Sequence, residues 1–277
     1  MYSSSLEKLL LEGCSSLVEI HQCIGHSKSL VSLNVSGCSQ LQKLPECMGD
    51  IESFTELLAD GINNEQFLSS IEHLRCVRKL SLRGHWDWNW NLPYWPSPNS
   101  SWIPAFLLTP TSTIWRLLGK LKLGYGLSEH AANSVDFGGL SSLEELDLSG
   151  NNFFSLPSGI GILSKLWLLT VQGCGNLVSI SELPSNLEHL DAFGCQSMQW
   201  VRLPIQAKKN LNLDLFCCPD LIEIQGMEGL SNHGWIISQV TKSKLSNNYK
   251  KSLVEVLLLS LLHTNKHTIG TYYIFMN

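Results

Sequence analysis

Cysteine and histidine, nine of each, are the residue types in this chain best suited to chemistry. Cys14, His21, Cys23 and His26 lie close together in sequence and superficially resemble a thiolate–imidazole metal cluster, the two ligand types that hold structural zinc. Nucleophilic catalysis would need a positioned serine or cysteine, and no G-x-S-x-G elbow or comparable local arrangement occurs. Glu144 and Glu145 are adjacent carboxylates, but neighbours on a strand point in different directions, so they make no acid/base pair by themselves. A phosphate-binding G-x-x-x-x-G-K-[ST] loop is missing from the sequence. A net charge of −5, with 16% charged residues, offers no broad basic field to nucleic acid or anionic lipid. These observations predict no catalytic residue, no metal site and no cofactor.

The spacing of the cysteines explains most of them differently. Leu6, Leu9, Leu11 and Cys14 stand at relative positions 0, 3, 5 and 8. The frame recurs as Leu30, Leu33, Val35, Cys38, as Leu143, Leu146, Leu148, Asn151, and as Leu166, Leu169, Val171, Cys174. Leu187, Leu190, Ala192, Cys195 follow, then a weaker copy with Leu213, Leu215 and Cys218 and its position 0 set at residue 210. Phe54/Leu57/Ala59, Val77/Leu80/Leu82 and Leu118/Leu121/Leu123 are degenerate copies. The nine starts are separated by 24, 24, 23, 41, 25, 23, 21 and 23 residues. All but one interval fall in the range of about 20 to 29 that marks leucine-rich repeats.

Positions 3 and 5 alternate with polar neighbours, the period of a strand with one buried face. One repeat cannot bury its own apolar edge, so it must stack on the next. Position 8 turns inward, where asparagine or a thiol satisfies backbone groups of the turn. Cys14, Cys38, Cys174, Cys195 and Cys218 are therefore expected to be structural. Leu44-Pro45, Leu156-Pro157 and Leu183-Pro184 close the return side, and proline there favours extended or short 3₁₀ structure. The expected fold is an α/β leucine-rich-repeat solenoid, a horseshoe. A parallel β-sheet lines its concave face, the convex side is irregular or 3₁₀, and regular helix is scarce. The repeat domain is expected over residues 6–225, with a Trp/Pro-rich insert at about 85–116 and a post-repeat tail over 226–277.

The cysteine-type turns look like the repeats of plant intracellular immune receptors. The run from Ser181 to Cys195, with Leu183-Pro184, Leu187, Leu190, Ala192 and Cys195, resembles the last repeats of TIR-type nucleotide-binding leucine-rich-repeat disease resistance proteins. Leu143 to Pro157 is similar to their asparagine-type repeats. The resemblance covers roughly residues 6 to 250 and implies a C-terminal repeat portion of such a receptor. It implies an arm that binds pathogen effectors or guarded host proteins, restrains the receptor switch, and contacts the receptor's own nucleotide-binding domain. No TIR or nucleotide-binding segment is present in this sequence, so none of their activities carries over. The alternative is a generic repeat scaffold, such as the substrate-binding arm of a ubiquitin-ligase adaptor.

An odd cysteine count and no apolar leader after Met1 favour a reducing compartment, the cytoplasm with the nucleus as a second expected location. The apolar run from Leu253 to Leu262 is half the length of a membrane span, which takes about 20 residues. Between the leucines, the variable strand positions carry charge in bands: Glu56 and Asp60, then Arg78, Lys79, Arg83, Lys120 and Lys122, then Glu144, Glu145, Asp147, Glu188, His189 and Asp191. Solvated strand faces of alternating sign and a surface that steers a protein partner are both consistent with this pattern. Trp86, Trp88, Trp90, Trp95 and Trp102 crowd the insert. They read either as partner-binding hot spots or as rings folded over apolar repeat edges.

Overall fold

The computed structural model describes residues 6–62, 64–84, 117–127, 132–133, 135–204 and 211–226, together with the backbone of 236–238. The tryptophan cluster, the apolar run at 253–262 and most of the tail lie outside the described residues. Strands are brief because each repeat supplies only one extended 3–5 segment. The main sheet takes β1 (Lys8–Leu10), β2 (Ser32–Asn34), β3 (Glu56–Leu58), β4 (Lys79–Ser81), β5 (Lys120–Lys122), β6 (Glu145–Asp147) and β7 (Leu168–Thr170). β8 (Ser179–Ile180), β10 (Trp200–Arg202) and β12 (Glu223–Gln225) form a separate sheet on the return side. β9 (His189–Asp191), β11 (Asn212–Asp214) and β13 (Ile236–Ser238) complete the ten parallel strands of the first. β13 lies within the stretch read as post-repeat tail.

The register follows the leucine frame. Leu33, Leu57, Leu80, Leu121, Leu146, Leu169, Leu190 and Leu213 are successive Cα partners across the sheet. Leu80 pairs with Leu121 directly across the long interval, so the insert leaves the ladder without a gap. The degenerate copies bury Phe54, Val77 and Leu118 as fully as the regular ones bury their leucines. Each such side chain contributes about 1.5–3 kcal/mol by leaving water. In the last copy the buried residue is Leu211, one place beyond the spacing read from sequence.

Positions 7 and 8 turn the chain. Position 7 adopts a left-handed conformation in Gly13, Gly37, Gly61, Gly150, Gly173 and Gly194, and also in Tyr125 and Cys217, both at φ 59°. That geometry aims its N–H at the position-6 carbonyl of the next repeat, as in Gly150 N to Gln172 O at 2.7 Å. Position 8 supplies the sideways link in the other direction. The Cys38, Cys174, Cys195 and Cys218 thiols donate to the carbonyls of Leu11, Leu148, Val171 and Ala192, each in the preceding repeat, at 3.0–3.3 Å. Cys14 departs from the expected inward role: it is exposed, and no described strand precedes it to offer the carbonyl.

The return side is 3₁₀ in the early repeats, at Gln22–His26, Glu46–Asp50 and Ile71–His73, and again at Phe137–Gly139 and Ile160–Ile162. Pro45 caps the second of these in extended conformation. A short α-helix, α1 (Glu65–Ser70), follows the third strand, and its N-cap Asn64 accepts from Gln66 N and Phe67 N. Among the later repeats the return becomes the extended sheet β8–β10–β12.

Candidate functional site

Positions 2, 4 and 6 of the repeats project from the concave side of the main sheet and enclose a trough of about 1080 Å³. Its lining runs from Glu12 and Asn34 to Gln172 and Asp191 and takes residues from all four repeats between them. The basic band of the sequence is largely neutralised here. Lys79 pairs with Glu56 on the adjacent strand, Lys120 pairs with Glu145 at 2.6 Å, and Arg83 pairs with Asp147. The last pair spans two strands. Gly124, at position 6 between them, has no side chain to block the way, and a Cβ there would stand 3.7 Å from the Arg83 stem. Burial draws the Glu56 carboxyl upward, but hydrogen bonds from Lys79 and Ser32 and the charges of Lys79 and Lys8 outweigh it and hold the group below its ordinary range.

Asp60 accepts from Ser81 Oγ at 2.6 Å and from Arg83 N at 2.9 Å. Asp147 accepts from Ser149 N and Oγ. Lys122 lines the trough, and its side chain makes no hydrogen bond or ion pair with any described residue. Arg78 is exposed at position 1, outside this lattice. Glu144 faces a second, smaller trough with Lys165, Trp167 and Glu188, so the two adjacent carboxylates do diverge.

No family model matches the chain. Among curated proteins it is similar to the disease resistance-like protein DSC1 of Arabidopsis thaliana, 29% identical over 132 residues and 46% of this chain. It is 36% identical to the TMV resistance protein N of Nicotiana glutinosa over 28% of the chain, and 45% identical to the disease resistance protein RPS4 of Arabidopsis thaliana over 24%. The matched segments make up 11%, 7% and 6% of those relatives' own lengths. Among solved structures, the leucine-rich repeat domain of the type III effector XopL superposes with a TM-score of 0.52 at 16% identity, over 80% of this chain and 73% of that one. The chain is a leucine-rich-repeat solenoid resembling those of plant disease resistance proteins. The resemblance read from its Leu-Pro and cysteine turns is thereby borne out.

The thiols of these leucine-rich repeats are built for structure. Burial pushes the Cys174 thiol up to about 12, and the hydrogen bond with Cys218 followed by burial raises Cys195 as well. A thiol held protonated is a poor nucleophile and a poor metal ligand. His21 is occupied in capping, its Nδ1 accepting from Cys23 N at 3.2 Å, and among the described residues no three His, Cys, Asp or Glu side chains converge as a metal cage. Also among the described residues, no helix is long and apolar enough to cross a membrane.

At the C-terminal end of the concave face the character changes from ionic to aromatic. His189 meets Trp167 edge-on, with ring centroids 5.7 Å apart, and Asp191 accepts from Gln172 Nε2. Phe193 and Phe216, both at position 6, pack with centroids 5.6 Å apart. Phe193, Asp214 and Phe216 stand at the same variable positions as the charged residues singled out from sequence. Attention to charge alone passed over the two rings, and Asp214 lies in the weaker last copy, beyond the charged bands singled out.

Burial, and then the neighbouring Asp191 charge, raise the Asp214 carboxyl above its ordinary value. The folded chain therefore holds this proton more tightly than the unfolded chain does. Ionised Asp214 counts against the fold at neutral pH, and the effect disappears below the unfolded value of about 3.9. Asp214→Asn is expected to raise the thermal midpoint at pH 7 by about 2 °C, with the gain fading by about pH 3.5. Melting curves of the two proteins across that range check it, and a gain that persists at the acid end contradicts it.

Proposed function

We propose that this chain is the recognition arm of a plant immune receptor, binding a pathogen effector or a guarded host protein on its concave face. In the same reading, that face or its margin contacts the receptor's nucleotide-binding domain and restrains the switch. One observation carries the reading: polar and charged side chains from consecutive repeats converge on one continuous trough, on a fold whose sequence relatives are plant disease resistance proteins. Such a surface is long, of mixed polar and apolar character, and shared among many strands. It suits the broad face of another protein better than the enclosed apolar cleft that a small substrate takes.

Lys122 supplies the test, because it has no partner within the lattice to lose. Lys122→Glu is expected to lower stability by no more than about 1 kcal/mol, because the new carboxylate would stand directly opposite Asp147 on the adjacent strand. Co-expression of the wild type and this variant in leaf tissue with a panel of pathogen effectors, followed by affinity capture, reads the outcome. The expected result is at least one effector or host protein held by the wild type and about tenfold less by the variant. An identical set of partners captured equally by both contradicts the concave-face reading.

A further inference from the structure

We propose that the C-terminal end of the concave face docks a cationic side chain, an arginine or lysine presented by a protein partner. The proposal rests on the concave-face reading and adds the chemistry of the group recognised. Asp191 and Asp214 are direct Cα partners on adjacent strands. Like charges directly opposite one another weaken a sheet. In the middle of the sheet the carboxylates Glu56, Glu145 and Asp147 each have a lysine or arginine of their own. Asp191 and Asp214 have no such ion pair among the described residues.

Their placement is fixed rather than loose. Asp191 Oδ1 accepts from Phe193 N at 3.2 Å, and Asp214 Oδ1 accepts from Phe216 N at 3.1 Å. Each carboxylate is thus tied to the residue that carries one ring of the aromatic pair. The rings themselves remain accessible, with Phe193 41% exposed. Both halves of this surface favour one kind of visitor. A ring face attracts a cation through its quadrupole, and a guanidinium can stack on an aromatic while donating to a carboxylate. An uncharged apolar partner covering the rings would strip water from two carboxylates and give nothing back. An acidic partner would be repelled. Only a cation satisfies both the rings and the carboxylates.

Selection of random phage-displayed dodecapeptides on the full chain tests this, with the recovered peptides then titrated as fluorescent synthetic copies. Arginine or lysine next to apolar residues is the expected enrichment. The Asp191→Asn/Asp214→Asn double variant keeps the oxygens that receive Phe193 N–H and Phe216 N–H, and a flip of the Gln172 amide restores its contact at position 191, so the fold is preserved while the charge is gone. It is expected to bind a recovered peptide about tenfold more weakly, as is a peptide with citrulline in place of arginine, whereas Lys122→Glu retains full affinity. Recovery of acidic or uncharged peptides, no enrichment, or equal affinity for the double variant overturns the proposal. A peptide lost on Lys122→Glu but indifferent to the two asparagines overturns it too, and leaves the wider concave-face reading intact.

Discussion

Asn151→Ala is expected to lower the unfolding free energy by roughly 3–5 kcal/mol, read as a fall in the urea midpoint of the full chain. The side chain is 3% exposed and makes four hydrogen bonds to backbone. Its Oδ1 receives Gly126 N at 3.0 Å and Leu127 N at 2.8 Å, and its Nδ2 donates to Leu123 O at 3.0 Å and Leu148 O at 2.7 Å. Alanine would take the acceptor from the Gly126 and Leu127 N–H groups and the amide donor from Leu123 O, each deficit costing about 1–3 kcal/mol where water cannot enter, whereas Leu148 O would keep the Cys174 thiol. Asn151→Cys separates the contributions. A thiol at position 8 can reach a carbonyl of the preceding repeat, as Cys174 reaches Leu148 O at 3.3 Å, but it offers nothing as good to the Gly126 and Leu127 N–H groups. The cysteine variant should fall between wild type and alanine. A loss below about 1 kcal/mol for alanine would mean that water or backbone shifts replace the asparagine.

The same comparison explains why one repeat carries asparagine where most of the regular ones carry cysteine. At Asn151 the preceding turn, at Gly126 and Leu127, points two N–H groups inward, so an acceptor is required. At Cys38, Cys174, Cys195 and Cys218 the thiol donates to a carbonyl of the preceding repeat. This division was legible in outline from sequence, because position 8 alternates between the two residue types within a fixed frame. The register was legible for a related reason. A buried leucine at position 3 is enforced in every layer, so Leu80 and Leu121 could be matched across the 41-residue interval.

What sequence could not convey depends on space between repeats. The Arg83–Asp147 pair crosses an entire strand, past Gly124 in the repeat between them, a relation among three residues in three repeats. A list of charges by repeat reads Arg83 as a member of a basic band, whereas in the fold its charge is already matched. The aromatic end was within reach of the frame, since Phe193 and Phe216 share position 6, but a reading confined to charge does not register it. The return side gave the least warning. Short 3₁₀ turns and the β8–β10–β12 sheet are both compatible with proline-punctuated, low-periodicity sequence, and stacking against the neighbouring repeat decides between them.

Gly150→Ala should be nearly as costly as loss of Asn151, at roughly 2–5 kcal/mol, although it adds only a methyl group. Two independent causes act at this position. Gly150 sits at φ 66°, where a side chain collides with its own backbone, and left-handed geometry costs an ordinary residue about 1–2 kcal/mol. The added carbon would also overlap the ring of Tyr125, which lies over the glycine from the preceding repeat. Tyr125 is half-buried and itself left-handed at φ 59°, with burial the largest influence raising its phenol to about 12. The two causes separate in a double-mutant cycle with Tyr125→Gly, a change that removes the ring and also suits the left-handed backbone. In that background the alanine should cost only its own backbone strain, about 1–2 kcal/mol, and the difference measures the collision between repeats. Equal costs in both backgrounds would show that the ring yields freely and that the backbone conformation alone demands glycine. The coupled outcome would instead make Gly150 a spacing residue, setting how closely Tyr125 and the wall of the trough approach the next repeat.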